Sequence, residues 1–167
     1  MVFKEMVIKN IKDVTEPLKE QILKGDVHTI DEMKAWLKPL GYSDTINEAA
    51  INFILREFVM DKVSTDTLMN MDMVVESLRP QLEVTKEDIE PIIIMGLYHH
   101  RDLIGSRSAL NRDGMVERGL YQGILHNDTD ISRLDGLRSH SFAMCFENEI
   151  VTGESLFEVT QHGELLF

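Results

Sequence analysis

The sequence predicts an α+β protein, a mainly helical amino-terminal body of about five helices followed by a small antiparallel β meander. Three observations lead to that class. Two Thr-x-x-Glu signatures, Thr29–Glu32 and Thr45–Glu48, each stand in front of apolar residues at helical spacing. Pro17, Gly25, Pro39, Gly41, Pro80 and Pro91 punctuate the first hundred residues, where helices would begin and stop. Near the carboxyl end, "HSFAMCFE" sets Phe142, Met144 and Phe146 against Ala143 and Cys145, the two-residue period of a strand.

The elements follow in order. Val7, Ile11, Val14, Leu18 and Ile22 have the spacing of one helical stripe, but Pro17 falls inside it. Thr15 can cap a fresh helix with Pro17 in its first turn. The expectation is therefore a helix or strand over 2–13 and a helix from about 16 to 24, stopped by Gly25. The Thr29 box opens a helix with Ile30, Met33, Trp36 and Leu37 inward, ended by Pro39 and Gly41. The Thr45 box opens another, carrying Ile46, Ala50, Phe53, Ile54 and Phe58. A fourth helix is expected from near Ser64, with Leu68, Met71, Val75 and Leu78 on one face and Pro80 behind it. Thr85 or Asp88 caps a fifth segment running to about Leu103, with Pro91 in or near its first turn. The run "IIIMGLY" within it has the composition of a buried strand, yet the preceding cap favours a helix.

Beyond Gly105 the texture changes. Glycines recur at 105, 114, 119, 123 and 136, a short helix fits 114–125, and "HNDTDISRLDG" reads as loop. "SLFEV" and "ELLF" extend the meander after the strand at 140–147. The chain divides into a helical body at 1–104, a Gly/Arg-rich connector with a short helix at 105–139 and a β meander at 140–167, parts of one compact domain.

With 167 residues, 43% of them hydrophobic and 28% charged, the chain is large enough to bury about 70% of its unfolded surface. A single cysteine excludes an internal disulfide framework and a cysteine zinc cluster, and suits a reducing, cytoplasmic setting. No apolar run approaches the roughly 20 residues of a membrane span, and the amino terminus mixes charges into every turn, unlike a secretion signal. The net charge of −12 opposes direct binding to nucleic-acid phosphates and to anionic membranes. All nine lysines lie at or before Lys86. From Arg101 to Arg138 the permanently cationic side chains are Arg101, Arg107, Arg112, Arg118, Arg133 and Arg138, interleaved with acids, and beyond them the tail is acidic.

The conspicuous chemical residues are His99, His100 and Asp102, then His126, Asp128 and Asp130. On a helix His99 and Asp102 share a face, but adjacent histidines diverge by about 100°, and a histidine at a helix carboxyl end is favourable for its charge alone. No metal is expected: the chain lacks His-Glu-x-x-His and Glu-x-x-His, and Arg133 stands where a calcium loop after Asp128 needs glycine. No phosphate-binding glycine loop and no Gly-x-Ser-x-Gly elbow occurs, so no cofactor is implied. Cys145, set in a strand among aromatic residues, reads as a buried inert thiol.

The expectation is a non-catalytic protein-interaction or assembly subunit, such as a structural part of a larger, for instance viral, particle. The six arginines and the acidic tail would meet a protein partner or a second copy of the chain. One alternative is an acidic inhibitor that mimics nucleic acid. The other is a small hydrolase or transferase working through His99, Asp102 or His126 with an arginine clamp.

Overall fold

The computed structural model describes residues 11–63, 70–105, 142–146 and 149–152. Among them are five α-helices and one two-stranded antiparallel sheet, an α+β fold dominated by helix.

Helix α1 spans Lys12–Lys24 and buries Val14, Leu18 and Ile22. It runs unbroken through Pro17, which corrects the expected division there; Thr15 is buried inside the helix and caps nothing. Proline removes one N–H, whose acceptor would be the carbonyl of Asp13. Both residues are exposed, so the missing bond falls on the outer face of the helix and not in the core. Burying the continuous apolar stripe outweighs the loss. The Thr15 hydroxyl is buried without a hydrogen-bond partner among the described residues. Thr15→Val keeps the shape and removes that polar atom, so it is expected to stabilise the fold by up to about 1 kcal/mol, read from the urea midpoint.

Gly25 closes α1 in the left-handed conformation at φ 87°, its N–H donating to the Ile22 carbonyl at 3.0 Å. A β-carbon there would meet nothing within 4 Å. Gly25→Ala is thus expected to cost about 1–2 kcal/mol from backbone strain alone, measured as a lowered melting temperature with no change in helix content.

Helix α2, Ile30–Leu37, has the predicted capping box: Thr29 Oγ1 accepts from Glu32 N–H at 3.1 Å, and Glu32 Oε1 accepts from Thr29 N–H at 3.1 Å. Lys38–Leu40 continues as a 3₁₀ turn, and Gly41 ends it at φ 79°. Helix α3, Asp44–Lys62, is the centre of the molecule, packing on α1, α2, α4 and α5 and on the first strand. Every residue from Ala49 to Leu55 is buried, as in a helix surrounded on all sides. The second expected box does not form. Ser43 is the cap, accepting from Ile46 N–H at 3.2 Å, and Thr45 lies in the first turn.

Helix α4 begins at Met71, later than the expected Ser64, because Asn70 caps it by accepting from Met73 N–H at 2.9 Å. It runs to Leu78 and buries Met71, Val74 and Leu78, while Met73 faces out. Helix α5, Lys86–Gly105, settles the reading of 92–98 as helix. Thr85 and Asp88 cap it reciprocally: Thr85 Oγ1 accepts from Asp88 N–H at 3.2 Å, and Asp88 Oδ2 accepts from Thr85 N–H at 2.8 Å. Ile89, Ile92, Ile93 and Ile94 join the core.

Strand β1, Ala143–Phe146, pairs antiparallel with β2, Glu149–Thr152, in the register Ala143–Thr152, Met144–Val151, Cys145–Ile150 and Phe146–Glu149. Ala143, Met144 and Cys145 are all buried, so the alternation read from the sequence does not leave one face of β1 in water. They belong to the same apolar core as the helices. The expected strands at 155–159 and 164–167 and the short helix at 114–125 lie outside the described residues. No described helix is long and apolar enough to cross a membrane.

Candidate functional site

On α3, residues 44, 47, 48, 51, 52 and 55 follow the i, i+3, i+4 spacing of one helical face. Asp44, Asn47 and Glu48 are polar at its amino end; Ile51 and Leu55 are apolar further along, with Asn52 between them. This face lines a cleft of about 620 Å³, within the size range of ligand and side-chain pockets. Lys34 of α2, Lys38 of the 3₁₀ turn, and Tyr42 after it contribute to the lining, as do Glu87, Asp88 and Pro91 from the start of α5. Ile30 and Phe142 add apolar surface. Four carboxylates and two ammonium groups thus border an apolar floor.

Two of the α3 side chains hold the sheet. Glu48 Oε1 accepts from the Ala143 N–H at 3.1 Å, and Asn52 Nδ2 donates to the Ala143 carbonyl. In an antiparallel ladder, alternate residues turn their backbone groups away from the partner strand. Ala143 turns both of its groups toward α3, where two side chains one helical turn apart act as the next strand would. Asn52 is 6% exposed, so this substitute pairing is an interior one.

The clamp affects the ionisation of Glu48. Burial pushes its carboxyl pKa above the ordinary value, against the opposing influence of the Ala143 N–H and the positive charge of Lys34. Beside it, Asn47 Oδ1 is buried and accepts no hydrogen bond among the described residues. The cleft is therefore lined by one partly desolvated carboxylate.

A second recess, of about 490 Å³, lies between α1 and the carboxyl half of α3. Its Lys19 and Glu57 pair at 3.7 Å. Among the described residues no group of three histidine, cysteine, aspartate or glutamate side chains is placed to hold a metal ion. Cys145 is a buried free thiol.

The residues singled out in the sequence are elsewhere. His99, Arg101 and Asp102 fall in the carboxyl-terminal part of α5, and their side chains lie outside the described residues. Arg107, Arg112, Arg118, His126, Arg133 and Arg138 lie outside them altogether. Sequence reasoning missed Lys34, Asn47, Glu48 and Asn52 as a group. One signal was present: Asn52 interrupts the run "AAINFIL", and a polar residue in a wholly buried stretch needs an internal partner.

Searches against family models, curated proteins and solved structures find no match to this chain.

Proposed function

We propose that this chain is a non-catalytic interaction or assembly protein, and that the cleft between α2, α3 and α5 receives a short segment of a protein partner. The observation that carries the reading is the composition of the cleft, an apolar floor at Ile51 and Leu55 bordered by charges of both signs. Protein–protein contacts combine an apolar centre with a polar rim in this way. Glu48, the cleft carboxylate whose pKa burial raises, is engaged in holding β1, a structural task. The arginines at 101, 107, 112, 118, 133 and 138 and the acidic tail are the further contact surfaces in this reading, supported by their charge separation along the chain. The charge of −12 supports protein over nucleic acid as the partner, and the single cysteine supports a cytoplasmic setting.

The test is site-specific photo-crosslinking in the native host. A photoreactive residue at Tyr42, in the cleft, is expected to give an adduct of protein size; the same residue at the exposed Glu76 of α4 is expected not to. Identical adducts from both positions, or none from Tyr42, would count against docking in the cleft.

A further inference from the structure

The geometry points to a basic segment of a partner protein as the occupant of the cleft, one that lays an apolar side chain on the floor and sets lysine or arginine against the carboxylates at the border. The inference rests on the docking reading above and adds the chemistry of the partner.

Charge around the cleft is unequal. Asp44, Glu48, Glu87 and Asp88 border it, against Lys34 and Lys38. The positive charge of Lys34 already acts on Glu48, so that base and that acid offset each other within the chain. Lys38 is then set against three carboxylates. Asp44 stands in the first turn of α3, and Glu87 and Asp88 stand in the first turn of α5. The positive end of each helix favours the ionised form of carboxylates placed there. Asp44 and Glu87 are exposed, and neither joins an ion pair among the described residues. Two separate helices thus bring unmatched negative charge to the border of one cleft.

The apolar lining decides the rest of the occupant. Ile30 and Phe142 are half-buried and, with Ile51, give the cleft its apolar surface. A purely basic segment would satisfy the carboxylates and leave this surface in water. A purely apolar one would cover the surface and strip water from the carboxylates without replacing it. A segment that mixes apolar and basic side chains meets both. The whole chain favours the same partner, because its net charge of −12 attracts basic molecules and repels acidic ones during encounter.

The test is fluorescence anisotropy of the full chain with two labelled synthetic peptides, Lys-Leu-Leu-Lys-Leu-Leu-Lys and the same peptide with glutamate in place of lysine. The basic peptide is expected to bind at least about tenfold more tightly than the acidic one. Asp44→Lys/Glu87→Lys is expected to weaken the basic peptide about tenfold, and the milder Asp44→Asn/Glu87→Gln about threefold, with circular dichroism verifying the fold of each. Glu16→Lys/Glu20→Lys changes the net charge as much as the first variant, at exposed positions of α1 outside the cleft lining. It is expected to stay within about twofold of wild type, because it alters only the long-range field. Equal binding of the two peptides, no binding of the basic one at millimolar concentration, an Asp44/Glu87 variant that binds as the wild type does, or equal losses from both lysine-bearing variants overturns the inference. The docking reading is tested apart from this, by the Tyr42 adduct. An adduct in the native host that survives Asp44→Lys/Glu87→Lys unchanged retains docking and rejects a basic occupant.

Discussion

Replacing Asn52 with leucine, which has the same number of heavy atoms, is expected to lower stability by about 2–3 kcal/mol. The carbonyl of Ala143 takes the Asn52 amide as its donor, and both residues are buried, at 2% and 6% exposure. Leucine leaves that carbonyl buried without a donor, so the cost is a full desolvation penalty and not only the modest net value of one hydrogen bond. Asn52→Asp is expected to be worse at neutral pH, since it puts a carboxylate against a carbonyl oxygen. The damage should concentrate at the sheet, because β1 is attached to α3 at this residue. Urea unfolding gives the magnitude, and amide exchange at Met144 and Cys145 gives the location. A loss below about 0.5 kcal/mol, the size of an ordinary surface change, would show that the carbonyl does not depend on Asn52.

Glu48 is expected to divide into two opposite results. Glu48→Ala removes the acceptor of the Ala143 N–H and should cost about 1–2 kcal/mol. Glu48→Gln keeps a carbonyl oxygen in the same place and removes the charge that burial disfavours. It should stabilise the protein near neutral pH. The pH dependence follows from the raised pKa. Below the ordinary carboxylate pKa, folded and unfolded chains are both protonated at this position, and the charge penalty is absent. As pH rises toward the folded value, the unfolded chain loses its proton first, so wild-type stability falls; above the folded value the loss is complete. The advantage of glutamine is thus smallest in acid, grows across that window and then levels off. The groups around the carboxyl are Lys34 and Lys38, Asp44 of its own helix, and Glu87 and Asp88 of α5, all present in both proteins, so the difference between variant and wild type isolates Glu48. A difference that is constant with pH would mean that Glu48 is not penalised by the fold.

Much of the helical body was legible because caps are local chemistry. Thr29 and Glu32 form their box from atoms within one turn, and Gly25 adopts its positive φ where a helix has to stop. Thr45–Glu48 has the same pattern and fails, for a reason that lies far along the chain. Ser43 competes for the cap, and Glu48 is taken by Ala143, 95 residues away. Pro17 obeys its local rule only in part, since the stripe of Val14, Leu18 and Ile22 buries enough apolar surface to carry the helix past it. The run at 92–98 suits strand or helix by composition; the Thr85–Asp88 cap and the core packing of Ile89, Ile92 and Ile93 make it helix.

The cleft was not legible for a different reason. Histidines and arginines draw attention by chemical type, whereas the cleft is made of ordinary lysines, acids and asparagines whose meaning comes from position. Lys34, Asn47, Asp88 and Phe142 become neighbours only when α2, α5 and β1 pack on α3. Periodicity and capping act over a few residues, so one chain segment carries them complete. The raised pKa of Glu48 and the grip of Glu48 and Asn52 on Ala143 arise where separate segments displace water together, and no single segment contains that information.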